Sequence, residues 1–248
     1  MDPFLHHPKL RDRIAAPETS FFRSFLPSDF DARMAALGRP PDWRYTDAER
    51  ETRRRAALAG RLGADVWVFA YGSLMWDPAF RFAEVRVGRV EGYARRFCLK
   101  DTWGGRGTAE APGLMAALDH GPGCTGLAFR IAMAEVEAET EILWRREQIS
   151  DAYAPLFLPV ATTQGEVEAL TFVANHASPV ICSDLSSDET VRYLATGTGI
   201  LGTSRAYLEG IAAQFAALGI DDPEVWALVE AVRRYPSPGD WTAAAPPP

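Results

Sequence analysis

Val66-Trp67-Val68-Phe69-Ala70-Tyr71-Gly72-Ser73-Leu74-Met75-Trp76 is an apolar run that breaks into a turn. Val66 to Ala70 are all apolar, the pattern of a strand covered on both faces. Gly72 then lets the backbone turn where a β-carbon would obstruct it. Successive backbone N–H groups at such a turn can face outward together and receive an anion. The stretch therefore predicts a core strand with a candidate binding turn, Tyr71, Gly72, Ser73 and Leu74, at its end. A buried strand closed by an ordinary glycine turn is the plainer reading of the same residues.

Downstream, the pattern is mainly of strand type to about residue 174, with one helix, and helical after that, an α+β order. Phe80 to Leu99 alternates Val85, Val87 and Val90 with charged residues, and Leu114 to Leu118 and Thr125 to Ile131 are short apolar runs. Pro155 to Ala161 and Val167 to Ala174 supply further strands, with turns at Gly104-Gly105 and Gly121-Pro122-Gly123. Three helices are predicted over 187–195, 204–218 and 223–235. Ser186 with Glu189 reads as a capping box, and Asp222-Pro223 as a capping carboxylate before a first-turn proline. Upstream, residues 1–60 are rich in Arg, Pro and Asp and read as a partly helical arm, with helices over 29–37 and 46–62. Thr46 with Glu49 opens the second of these helices. The run Arg53-Arg54-Arg55 lies among Asp47, Glu49 and Glu51 and reads as a solvated, salt-bridged helix face rather than a nucleic-acid or membrane patch. Residues 61–236 form the expected main domain, and the Pro/Ala-rich tail 237–248 is expected to be disordered.

Composition bounds the function. The chain has 248 residues, 47% hydrophobic and 24% charged, enough to bury a real core. A net charge of -7 argues against a general nucleic-acid footprint. No apolar run approaches the ~20 residues of a membrane span, and the N-terminus lacks the layout of a secretory signal. Cys98, Cys124 and Cys182 have no close metal-ligand spacing, and their odd number argues against a closed disulfide framework and fits a reducing cytoplasm.

The segment from about Ala134 to Gln148 carries the catalytic candidate. Val136, Thr140, Leu143 and Glu147 follow one another at offsets of four, three and four and so lie along nearly one line of a helix. Glu135, Glu137, Glu139 and Glu141 mostly fall on other faces and read as solvated. A carboxylate in line with Val136 and Leu143 is expected to be partly desolvated, which raises its pKa toward the range a general base needs. On spacing alone the leading reading is a buried ion pair of Glu147 with Arg145, Arg146 or the Arg95-Arg96 strand.

Val66 to Trp76, Gly92-Tyr93-x-Arg95-Arg96-Phe97-Cys98-Leu99, Arg106-Gly107-Thr108, Pro112-Gly113 and Arg146-Glu147 together resemble the ChaC-like γ-glutamylcyclotransferases, which degrade glutathione. Tyr193-Leu194, Gly197 to Gly202 and Ser204-Arg205-Ala206-Tyr207-Leu208 are similar to that family's C-terminal segment. The resemblance covers about residues 62 to 235. It implies a small mixed β-barrel surrounded by helices, and a catalytic glutamate at Glu147, reversing the order of the two readings above. It further implies conversion of a small-molecule substrate, glutathione, to 5-oxoproline and Cys-Gly without metal or organic cofactor. The substrate's α-amine attacks its own γ-carbonyl, so no enzyme nucleophile is required.

The resemblance also implies that Tyr207 lies near the substrate and donates its hydroxyl; a core aromatic with a satisfied hydroxyl is the equal alternative. Tyr71 is expected to matter more through its backbone than its ring. Ser73 lacks the Gly-x-Ser-x-Gly elbow of a hydrolase nucleophile. His6 and His7 fall in an expectedly mobile terminus, His120 and His176 in loops, and Cys98 reads as a buried apolar residue. Two features depart from the family: the long arm, and the additional Arg145 before Arg146-Glu147. Both bear on substrate preference, so a cyclotransferase of other γ-glutamyl amines or amino acids is the first alternative. A non-catalytic regulatory protein on the same scaffold is the second.

Overall fold

The computed structural model describes residues 2–236, so the tail expected from residue 237 lies outside the described residues. Along the chain come α1 (Phe21–Ser24), α2 (Asp31–Ala36) and α3 (Asp47–Ala57), then β1 (Val66–Ala70), β2 (Glu84–Val90) and β3 (Tyr93–Asp101). These are followed by β4 (Gly113–His120), β5 (Cys124–Ile131), α4 (Val136–Glu147), β6 (Tyr153–Thr162) and β7 (Gly165–Ala174). The chain continues through α5 (Ser187–Thr196), a small hairpin of β8 (Thr198–Gly199) and β9 (Gly202–Thr203), α6 (Ser204–Leu218) and α7 (Pro223–Arg234). The Phe80–Leu99 stretch is thus two strands, parted where Gly92 takes φ 78°.

Seven strands run in the order β1-β5-β2-β6-β7-β4-β3, and an additional β1–β7 pairing closes the first five into a barrel. β1 is antiparallel to β5 from Val66↔Ile131 to Ala70↔Leu127, and parallel to β7 at Trp67↔Ala169 and Val68↔Leu170. Closure leaves β1 without a free edge and explains why Val66 to Ala70 read as continuously apolar. Val68, Leu127, Phe129 and Leu170 share one face of the barrel wall and Phe69 lies on the other, and all five are fully buried. Each such side chain contributes about 1.5–3 kcal/mol.

The described residues divide into two units: 2–96 with Ala116–Ile181, and Phe97–Met115 with 182–236. In the first unit α4 buries Val136, Leu143 and Trp144, and the Trp144 ring lies edge-on to Phe172 of β7 at 5.4 Å. Thr46 and Glu49 form the expected capping box on α3. Arg54 corrects the solvated reading of the basic run. It is 2% exposed and donates to Thr140 Oγ1 of α4 at 2.9 Å and to the Glu137 carboxylate at 2.7 Å. The arm is also held more firmly than expected at the histidines: His7 Nε2 accepts from the Val87 amide at 3.0 Å, and His6 Nε2 lies 3.4 Å from Glu84.

In the second unit the Ser186–Glu189 box caps α5, and Asp222 accepts from the Val225 amide at 3.1 Å to start α7. Thr203 caps α6, which spans the expected 204–218, by accepting from Ala206 N at 3.0 Å. Ser204 is freed for another task, accepting from Leu114 N at 3.0 Å.

Gly126 of β5 is where the barrel tolerates no side chain. A β-carbon there would lie 2.2 Å from the Ala70 carbonyl oxygen and 3.0 Å from the Phe69 ring. Gly126→Ala is therefore expected to destabilise by about 1–3 kcal/mol, as overpacking does. The check is a lower denaturant midpoint with an unchanged slope.

Candidate functional site

β1 delivers the chain to the turn, and buried polar contacts hold the delivery point. Arg95, 5% exposed on β3, donates from Nε to the Tyr71 carbonyl at 2.6 Å and from Nη2 to the Thr125 carbonyl at 2.7 Å. The Tyr71 hydroxyl donates to the Phe172 carbonyl of β7 at 2.6 Å. The ring of Tyr71 is thus a structural tie, and its backbone is what the turn presents. Ser73–Met75 then forms one 3₁₀ turn, closed by the Met75 amide on Gly72 O at 2.9 Å, with Trp76 and Asp77 donating to Ser73 O at 3.1 and 2.9 Å. The amides of Ser73 and Leu74 stand at the start of this turn, where a helix has no acceptor of its own to offer. Leu74 is buried beneath it.

Glu147 is the last residue of α4. Val136, Thr140 and Leu143 are fully buried, as their common line predicts, and the Glu147 side chain at the end of that line is 14% exposed. Burial pushes its carboxyl above the usual glutamate range, and the Arg146 guanidinium, both as a charge and as a hydrogen-bond donor, pulls the other way. Arg146 Nε lies 3.0 Å from Glu147 Oε1, so the ion pair anticipated from spacing is present. It is not a closed pair. The same guanidinium donates through Nη2 to Ser73 Oγ at 2.7 Å and through Nη1 to the Asp77 carbonyl. Arg146 therefore connects the glutamate to the Tyr71–Leu74 turn, and Ser73 is a hydrogen-bond acceptor here. A carboxylate with a raised pKa, one cation beside it and a set of turn amides within the same corner can move a proton and stabilise a developing oxyanion.

Tyr207 belongs to the second unit. It is 4% exposed on α6, with the Arg106 guanidinium carbon 4.9 Å from its ring centroid and Phe97 edge-on at 6.4 Å. Cys98 is buried within β3, as expected of an apolar residue. Among the described residues there is no group of three or more His, Cys, Asp or Glu arranged to hold a metal ion.

The acidic run of α4 needs one correction. Glu139 is not solvated; it is 2% exposed and takes the fork of Arg23 from the arm, Nη2 donating at 3.0 Å, together with the Arg81 amide at 2.9 Å. Arg145, which departs from the family pattern, turns to the arm as well and donates to the Arg23 carbonyl at 3.2 Å. Sequence reasoning singled out Glu147 and the turn as candidates. It missed Arg146 as the link between them and Arg95 as the clamp on Tyr71, for which the only signal was the unusual placement of arginines beside apolar positions.

The sequence profile of the ChaC-like protein family matches residues 66–235. An Escherichia coli (strain K12) protein named glutathione-specific gamma-glutamylcyclotransferase is 36% identical over 187 residues, covering 73% of this chain and 80% of its own. Glutathione-specific gamma-glutamylcyclotransferase 1 of Danio rerio is 31% identical over 182 residues, covering 71% of this chain and 91% of its own. Among solved structures, the yeast γ-glutamyl cyclotransferase specific to glutathione superposes with a TM-score of 0.61 at 21% identity, over 69% of this chain and 97% of that one. This last likeness is one of fold and agrees with the barrel and helices described above. Because the profile runs from β1 through the Tyr71–Leu74 turn and Arg146-Glu147 to the end of α7, the chain belongs to the ChaC-like protein family.

Proposed function

We propose that this protein is a glutathione-specific γ-glutamylcyclotransferase of the cytoplasm, with Glu147 as its general acid and base. The observation that carries the reading is the corner in which a buried glutamate and the Tyr71–Leu74 turn share one guanidinium, in a family whose relatives bear that activity in their names. Glutathione arrives with its α-amine protonated. Glu147, its pKa raised by burial, accepts a proton from that ammonium. The freed nitrogen attacks the γ-carbonyl carbon of the same residue, forming a five-membered ring. Charge develops on the γ-oxygen, toward which the amides of Tyr71, Gly72, Ser73 and Leu74 are assigned. The bond to the cysteinyl nitrogen then breaks as Glu147 returns its proton to that nitrogen and takes up the second proton of the ring nitrogen, leaving a lactam N–H. The products are 5-oxoproline and Cys-Gly. Tyr207 donates its hydroxyl to the bound substrate. Residues of this chain supply every proton movement in the sequence, and no cofactor enters it. An odd number of cysteines suits a reducing compartment, and none of the described helices is long and apolar enough to cross a membrane.

A substrate panel tests the reading. Purified protein is given glutathione, γ-glutamyl-alanine and a γ-glutamyl amine, and 5-oxoproline is quantified. Glutathione is expected to lead in kcat/KM by at least about tenfold, the discrimination polar recognition of the Cys-Gly end readily provides. A lead by either of the other two assigns the enzyme to other γ-glutamyl compounds. Inertness with all three makes the non-catalytic reading the better one.

A further inference from the structure

The residues matched to the family begin at 66, yet three contacts from the arm converge on the corner that holds Glu147. The Ala15 amide donates to the Trp76 carbonyl at 2.8 Å, at the end of the Ser73–Met75 turn. Phe22 lies flat enough on Arg146 that the guanidinium carbon is 4.1 Å from its ring centroid, well inside the ~6 Å range of a cation–π contact. Arg23 follows with its fork on Glu139 and a further donation to the Ala79 carbonyl at 3.2 Å, while its own carbonyl receives Arg145 at 3.2 Å. Local structure sets this placement. Ser20 caps α1 by accepting from the Phe22 amide at 3.1 Å, and Phe22 and Phe25 pack edge-on at 5.8 Å, so the Phe22 side chain is held rather than free to swing away.

We infer that the arm segment from Ala15 to Arg23 is part of the catalytic apparatus, and that Phe22 is a positioning residue acting on Glu147 through the guanidinium of Arg146. Arg146 has three oxygen partners in a plane, on Glu147, Ser73 and Asp77. The Phe22 ring covers a face of that plane and keeps water from competing for the same donors. The charged groups at this corner are Arg145, Arg146, Glu139 and Glu147 on α4, Arg23 on the arm, Arg81 before β2 and Asp77 after the turn. Arg23 is committed to Glu139, so Arg146 is the cation that Glu147 meets directly. Losing the ring leaves the fold and the charges in place and loosens one guanidinium, which is why a large functional effect is expected from a residue that touches no substrate.

The inference rests on the reading of Glu147 as the base, and the test separates the two. In full-length Phe22→Ala, kcat for glutathione at neutral pH is expected to fall about tenfold with KM within about threefold, the split expected of lost positioning. Water reaching the pair also moves the acid limb of kcat/KM toward lower pH, and Phe22→Tyr, which keeps the ring, restores both. A Phe22→Ala enzyme with unchanged kcat and acid limb overturns the inference, as does a loss that tracks thermal stability with the limb unmoved. Amide hydrogen exchange decides the matter without turnover. Should wild type prove inert on every γ-glutamyl substrate, exchange at residues 73–77 and 145–148 about tenfold faster in Phe22→Ala, and unchanged elsewhere, still supports the positioning role. Unchanged exchange there removes it.

Discussion

Glu147→Gln is expected to lower 5-oxoproline formation from glutathione by about 10³-fold, within the 10²–10⁴ range of general acid–base catalysis, while circular dichroism and thermal midpoint stay close to wild type. The substitution keeps the shape of the side chain and an oxygen for Arg146 to reach, and removes its negative charge and its capacity to hold a proton. Of the neighbouring groups, Glu139 is committed to Arg23 and the Arg81 amide, and Ser73 accepts from Arg146. Because the attacking amine is already part of the substrate, proximity is retained in the variant, and the residual rate measures what ring closure achieves without a base. Glu147→Asp is expected to fall between the two, since withdrawing the carboxylate by one methylene misplaces it by an amount that costs about 10²-fold. A Glu147→Gln enzyme within a few fold of wild type returns Glu147 to the role of an ion-pair partner and moves the base elsewhere.

Arg146→Met is expected to have the second largest effect, on both stability and pH dependence. Arg146 is 4% exposed at its side chain and Glu147 14%, so deleting the cation strands a buried carboxylate, a change that costs about 3–5 kcal/mol. The guanidinium holds the Glu147 pKa down against burial, so its removal must push that pKa further up. A base works only when deprotonated. The acid limb of kcat/KM, expected above the usual glutamate range in wild type, therefore moves to higher pH in Arg146→Met. Activity at neutral pH falls by about 10² or more and recovers in part as the pH is raised. Arg146→Lys keeps a charge beside Glu147 but has no fork to span Ser73 and Asp77, so the limb stays near its wild-type position while kcat falls. An acid limb that moves down in Arg146→Met, or does not move, contradicts this electrostatic assignment.

How much of this could be read from the residues follows from the range of the forces involved. The strand Val66–Ala70 and the helix ending at Glu147 have local periodicities, and both stand where the pattern placed them. The caps at Thr46, Ser186 and Asp222 are equally local and equally legible. Barrel closure is not, because Val68↔Leu170 is a parallel pairing of two apolar strands that would look the same in an open sheet. Charge was the least legible property. Glu139 carries the same residue code as its solvated neighbours, and only Arg23, 116 residues earlier, shows that it is buried and matched. Arg54 was assigned to solvent for the same reason, with its partner Thr140 lying 86 residues away. Glu147 was the exception because its burial follows from its line on the helix.

The central claim is that the substrate closes a ring on itself with no water in the bond-breaking step. Turnover of glutathione in ¹⁸O-enriched water, with products identified by mass, tests it directly. The expected result is 5-oxoproline at unshifted mass in one-to-one proportion with Cys-Gly. Glutamate carrying solvent oxygen in place of 5-oxoproline would contradict it, because hydrolysis would then be the reaction performed at this corner.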